Sequence, residues 1–185
     1  MVKMVENEKN IYILLTDTGT VFTRLIKLYT KAPFNHASIA FDRELKEVYS
    51  FGRLKPHNPL IGGFVKENIR GPLFIHAKCA LYCCTVEPSA YEQVRRHVRR
   101  FEKNRHQYKY NLIGLLGVLL NINLRRENAY FCSEFVASVF QENGVDIIDK
   151  PSALTTPGDF EKSEALRLLY QGKLVNYRSR ASKIA

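Results

Sequence analysis

Two short stretches carry residue types that could do covalent chemistry. Phe131-Cys132-Ser133-Glu134-Phe135-Val136 puts a cysteine where a helical period begins, and Asn35-His36-Ala37-Ser38-Ile39-Ala40 puts a histidine at the head of an apolar, strand-like run. A thiol becomes a strong nucleophile when a helix N-terminus and an imidazole both favour its thiolate. With Cys132 in a first helical turn, unpaired amides and the helix dipole act on its sulfur and draw its pKa below the usual value of about 8.5. The amides that follow, beginning with Ser133, are placed to donate to an oxyanion.

Alternation along residues 36–41 puts His36, Ser38 and Ala40 on one strand face and Ala37, Ile39 and Phe41 on the other. The small neighbours of His36 leave room for a helix to bring a thiol within reach. Such a pair commonly uses a third polar group that orients the imidazole and fixes its tautomer. The adjacent strand is its natural source. Glu47 shares the face of His36 if the intervening loop has an even number of residues, and Tyr49 has the same parity. An odd loop presents Ser50 instead. Glu47, as the acid, ranks first of the three.

The elements that must position these groups follow from periodicity. Ile11-Tyr12-Ile13-Leu14-Leu15 reads as a buried strand, followed by a polar turn through Gly19. Residues 21–30 have helical spacing, with Val21, Leu25, Leu28 and Tyr29 inward. Residues 36–41 and 47–51 form an antiparallel hairpin. Residues 52–63, rich in Gly and Pro, read as a long loop that would set specificity, and residues 73–86 as extended. Ser89 is a candidate cap for a helix over 90–104, with Glu92 at the capping-box position and Tyr91, Val94, Val98 and Phe101 inward. Residues 111–120 are apolar on all sides and should be buried if helical. Residues 131–143 form the cysteine helix, stopped at Gly144. A last helix is expected over 161–169, and residues 1–10 and 174–185 are expected to fray.

These motifs resemble the permuted branch of the NlpC-type papain-like cysteine hydrolases (the YiiX/YaeF type), with lecithin retinol acyltransferase as a distant relative. The resemblance rests on the strand and polar turn of residues 11–19, on Asn35-His36-Ala37-Ser38-Ile39, on the stretch from Tyr130 to Val136, and on Pro157-Gly158-Asp159-Phe160. It implies one α+β domain over residues 1–185, a permuted papain-like fold with an antiparallel sheet packed against the cysteine helix. It implies hydrolysis or transfer at an amide or ester carbonyl through a Cys-His-polar triad, with no cofactor or metal. Carried over, Cys132 is the nucleophile and His36 the base, and the Cys132 amide and a donor at Tyr130 hold the oxyanion. The third member is not carried over and stays open among Glu47, Tyr49 and Ser50.

Charge and cysteine content bound the alternatives. The chain has 185 residues, 45% apolar, which argues against disorder, and a net charge of +10, which favours anionic partners. Arg95, Arg96, Arg99, Arg100 and Lys103 line one face of the helix at 90–104, but no nucleic-acid motif accompanies them, so a solvated face is the favoured reading over a nucleic-acid surface. His76, Cys79, Cys83 and Cys84 have zinc-ligand chemistry, yet lie in an extended run where Cys83 and Cys84 face opposite ways and no paired CxxC occurs. The N-terminal residues show no secretory pattern, and the apolar run 111–122 is shorter than the roughly 20 residues of a membrane-spanning helix. The expected setting is the cytoplasm with reduced cysteines. The expected partner is a small peptide or acyl substrate. Peripheral membrane contact through 111–122, an acyltransferase or thioesterase acting on lipid, and a catalytically silent binding module are the competing readings.

Overall fold

The computed structural model describes residues 8–18, 32–55, 58–111, 122 and 126–181. The helix expected over 21–30 lies outside them, as does nearly all of the apolar stretch 111–122. The described chain is α+β, built on a six-stranded antiparallel sheet. Its strands are β1 (Lys9–Asp17), β2 (His36–Ala40), β3 (Val48–Lys55), β4 (Asn58–Lys66), β5 (Lys78–Val86) and β8 (Arg167–Lys173), in the spatial order β4-β3-β2-β1-β5-β8. A small parallel pair, β6 (Lys109–Tyr110) and β7 (Ala129–Tyr130), leads into the cysteine helix. The helices are α1 (Pro88–Lys103), α2 (Cys132–Gln141), α3 (Pro157–Glu161) and α4 (Leu174–Ala181).

The unbroken apolar run of β1 has a simple cause: both faces of the strand are covered. On one face Ile11, Ile13 and Leu15 join Ala37 and Ile39 of β2, Phe41 just beyond it, and Ala80, Tyr82 and Cys84 of β5. Helices α1 and α2 close this face, α1 through Val94, Val98 and Phe101 and α2 through Phe135, Val136, Val139 and Phe140. On the other face Tyr12 and Leu14 join Ala40, Val48, Cys79, Leu81 and Cys83, under Ile69, Phe74, Leu174 and Tyr177. Cys83 and Cys84 thus belong to different cores.

An aromatic cluster fixes α2 against the sheet. The Phe51 ring lies 5.2 Å from Phe135 and from Tyr130, 5.8 Å from Phe64 and 5.9 Å from Phe101 (centroid distances). Edge-on and tilted pairs of this kind add about 0.5–1.5 kcal/mol each to the area they bury. The tie runs from β3 and β4 through α1 to α2, so the head of α2 is held from three directions.

Several sequence expectations are corrected. Residues 52–55 and 58–63 are not loop: β3 and β4 pair there, with Gly52 opposite Gly63 and Phe51 opposite Phe64. The glycines signal close packing rather than a turn, since a Cβ on Gly62 would meet Tyr110 at 2.7 Å. Within 73–86, Pro72–Phe74 forms a 3-10 turn before β5 begins. Helix α1 starts on Pro88, whose fixed φ and missing N–H suit the first position, so Ser89 caps nothing. The helix expected over 161–169 is replaced by the short α3 and the strand β8, because the outer edge of β5 offers a ladder from Lys78 to Cys83. Arg167, Gln171 and Lys173 keep that edge polar. Lys9 and Asn10 belong to β1, and Leu174 and Tyr177 of α4 are buried, with the Tyr177 hydroxyl donating to the Arg43 carbonyl at 2.8 Å. Neither stretch frays there. No helix among the described residues is long and apolar enough to cross a membrane.

Candidate active site

The pairing of β2 with β3 creates the site. Ala40 opposes Val48 and Ile39 opposes Tyr49, and the ladder stops there. The seven residues between Ala40 and Val48 make the odd loop. Ser50, not Glu47 or Tyr49, therefore shares the face of His36 and Ser38. Beyond Ile39 the two strands separate, and the Ala37 N–H, which points toward β3, donates to the sulfur of Cys132 instead.

Cys132 is the first residue of α2. Glu134 at the third helical position accepts the Phe131 N–H at 3.3 Å, which closes the N-terminus in the manner of a capping box. Ser133 is buried, and its hydroxyl donates to the Thr155 carbonyl at 2.7 Å. That carbonyl sits just before α3, where Asp159 accepts from the Thr156 N–H and hydroxyl, both at 2.6 Å, and pairs with Lys150 at 2.7 Å. The Pro157-Gly158-Asp159-Phe160 motif thus anchors the loop that holds the head of α2. Asp159 is pulled below the usual carboxylate range: burial opposes this, but Lys150 and Thr156 outweigh it.

The His36 ring joins the two ends of the site. Its Nε2 is 2.6 Å from Glu67 Oε1, and a hydrogen bond links the ring to Cys132. Because Glu67 occupies Nε2, the nitrogen that faces the thiol is Nδ1. Glu67 follows β4 directly, and its own N–H donates to the Val48 carbonyl at 2.8 Å, which extends the β3–β4 ladder and lifts its side chain onto the His36 face. Ser50 donates to Oε1 at 2.7 Å and Ser38 to Oε2 at 2.8 Å.

Glu47 lies elsewhere. It pairs with Arg95 at 2.9 Å and accepts from the Tyr49 hydroxyl at 3.0 Å, which also reaches Glu102 at 3.3 Å. Both Glu47 and Tyr49 are on the opposite face of the sheet from His36. The Arg95 end of the basic stripe is thereby committed within the protein. The Tyr130 ring packs between Phe51 and Phe101, and its carbonyl accepts from Asn111 at 2.9 Å. The donor at the head of α2 is the backbone, where the Ser133 N–H reaches the sulfur. Among the described residues no group of three or more His, Cys, Asp or Glu is arranged to hold a metal ion.

The electrostatics favour an ion pair. Cys132 is 4% exposed, and the His36 and Glu67 side chains are 16% and 6% exposed. Burial alone would raise the thiol, but the hydrogen bond and charge of His36 and the amides of Ala37 and Ser133 outweigh it and lower its pKa. Burial would likewise discharge the imidazole, but the Glu67 charge and the bonds to Cys132 and Glu67 hold His36 up to about 10. Glu67 is lowered in turn: burial opposes, and His36, Ser50 and Ser38 prevail. By contrast burial pushes Cys79 up to about 12 and Cys84 to about 11.

His36 and Cys132 tilt the pH dependence of stability in opposite directions. A pKa raised from 6.5 to about 10 means that the His36 contribution is complete below pH 6.5 and is lost as pH rises toward 10. A thiol lowered from 9.0 contributes fully above pH 9.0 and loses that contribution as pH falls through its depressed pKa. Between the depressed thiol pKa and 9.0 the slopes cancel, since the folded ion pair and the unfolded neutral pair hold equal numbers of protons. In Cys132→Ser only the His36 slope remains, because Glu67 still favours the imidazolium. That variant should lose stability relative to wild type as pH rises from the depressed thiol pKa to 9.0, by up to about 1.4 kcal/mol per pH unit in thermal or urea unfolding. Parallel curves would contradict the ion pair.

Scans against family models, curated proteins and solved structures found no match to this chain. The reading of the site therefore rests on its geometry. Sequence reasoning named Cys132 and His36 and missed Glu67. The available signal was the alternation Phe64, Val65, Lys66, Glu67, which gives the acid the same parity as Val65 and, across the ladder, as Ser50.

Proposed function

We propose that this chain is a cysteine hydrolase of the permuted papain-like type, cleaving an amide such as a peptide or a cell-wall-derived fragment through an acyl-enzyme. One observation carries the reading: a helix-head thiol hydrogen-bonded to an imidazole whose far nitrogen rests on a buried carboxylate. The order of histidine before cysteine and the Asp159-capped turn behind α2 support it.

The chemistry follows from the atoms in place. The Cys132 proton already rests on His36 Nδ1, and the thiolate attacks the carbonyl carbon to form a C–S bond. The charge that builds on the carbonyl oxygen meets the first amides of α2. His36 Nδ1–H then protonates the departing nitrogen, the C–N bond breaks, and an amine leaves behind a thioester. Water attacks that thioester as Nδ1 takes its proton, the C–O bond forms, the C–S bond breaks, and the acid departs. Glu67 keeps Nε2 protonated throughout and so presents Nδ1 to the sulfur.

The test is a panel of fluorogenic peptide and wall-type amides, read by turnover and by intact mass. Wild type should turn over at least one member and carry a hydroxylamine-sensitive adduct on Cys132. Cys132→Ala and His36→Ala should show no turnover with an unchanged circular dichroism spectrum, and activity retained in either would contradict the mechanism. Delivery of the acyl group to an added amine or lipid hydroxyl in preference to water would make the chain an acyltransferase. Absence of any adduct would leave a binding module.

A further inference from the structure

Three consecutive strands contribute to the environment of Glu67. His36 and Ser38 come from β2, Ser50 from β3, and the carboxylate itself from the end of β4. Oε1 meets His36 at 2.6 Å and Ser50 at 2.7 Å, while Oε2 meets Ser38 at 2.8 Å. Both serines are fully buried, in strands whose register puts Leu14 opposite Ser38 and Ala40 opposite Val48 on the same face. A hydroxyl among apolar neighbours costs stability unless it is bonded, and alanine would fit either place. Here each hydroxyl has a use that alanine lacks. A carboxylate so enclosed has little water to stabilise its charge, and two O–H donors substitute for that hydration. They also pin both oxygens, so the plane of the carboxylate is fixed under the imidazole.

We propose that Ser38 and Ser50 are positioning residues of the Cys132–His36 pair, holding Glu67 charged and fixed in orientation and so setting the pH below which Cys132 loses its thiolate. The proposal rests on the reading of Cys132 as the nucleophile. Among the described residues the charged group that bonds Glu67 is His36 of β2, and Cys132 of α2 acts on that ring; β3 and β4 present Val48, Ser50 and Val65 on this face, none of which titrates. Lowering of the Glu67 pKa by both serines agrees with this role. Loss of either hydroxyl weakens the carboxylate as a partner for the imidazolium, and the thiol then keeps its proton to a higher pH.

The experiment is the rate of Cys132 alkylation by iodoacetamide between pH 4 and 9, read by peptide mass spectrometry, in wild type, Ser38→Ala, Ser50→Ala and the double variant. The midpoint of the acid limb should rise by about half a pH unit or more in each single variant and by about one unit or more in the double. A purely structural role predicts a lower melting temperature with the limb in place, and that result overturns the proposal. The single variants decide the matter if the double does not fold. A wild-type limb near the ordinary thiol value overturns both this proposal and the nucleophile reading. A depressed wild-type limb that stays put without the hydroxyls overturns only the role of the serines. A limb that moves as expected in a protein with no amide turnover upholds the serines and removes the hydrolase.

Discussion

Replacing Glu67 by Gln is expected to lower kcat/KM for any amide substrate by roughly 10²- to 10⁴-fold while the protein stays folded. The carboxylate is the main influence that keeps His36 charged against burial. A neutral carboxamide cannot balance the imidazolium, so proton transfer from Cys132 becomes unfavourable and the site relaxes to a neutral thiol and imidazole. The tautomer is at risk as well. If the new NH2 group turns toward Nε2, the proton of the ring moves to Nδ1, and the thiol faces a donor where it needs an acceptor. The fold survives because His36 can shed its proton and leave no unpaired buried charge. Glu47→Gln is the matched control. That residue bonds Arg95 and Tyr49 on the other side of the sheet, so its loss should change kcat/KM by no more than about twofold. Measured side by side, the two variants separate the carboxylate that serves His36 from the one favoured by sequence reasoning. Equal effects would contradict the assignment of Glu67.

His36→Ala should cost at least as much. Without the imidazole the thiol loses both the charge and the hydrogen bond that lower its pKa, and burial then raises it. Alkylation of Cys132 at pH 6 should fall by roughly 10²-fold, since an ordinary thiol is scarcely ionised there. Turnover should fall further, because the leaving nitrogen also loses its acid. Glu67 acts through His36, so the two losses should not add: in His36→Ala combined with Glu67→Gln, Cys132 should be alkylated no more slowly than in His36→Ala alone. An additive double variant would mean that Glu67 serves the reaction by another route.

Much of the fold was legible because local patterns and tertiary packing agree. The continuous apolar run of β1, the inward spacing of Val94, Val98 and Phe101, and the stop at Gly144 (φ +69°) each follow from one local rule. The pair Cys132 and His36 was legible for a similar reason, since a helix head and a strand head are sequence-local features. Glu67 was not. Its placement depends on the register of two successive hairpins, and one of them is hidden in a Gly- and Pro-rich stretch that imitates a loop. Parity was the deciding variable: the odd loop after Ala40 sends Ser50 toward His36 and turns Glu47 toward Arg95. At the C-terminus a last helix is expected over 161–169, but the open edge of β5 captures Arg167–Lys173 as a strand, a long-range preference that no local window contains.

The alkylation profile of Cys132 in the wild-type protein tests the central claim most directly. A thiolate–imidazolium pair exists from the depressed pKa of the thiol up to about 10, so the rate should rise far less between pH 6 and 8 than an ordinary thiol's, with Cys79 and Cys84 unreactive throughout. An unpaired thiol would react roughly a hundredfold faster at pH 8 than at pH 6, and a rise of that size would contradict the account.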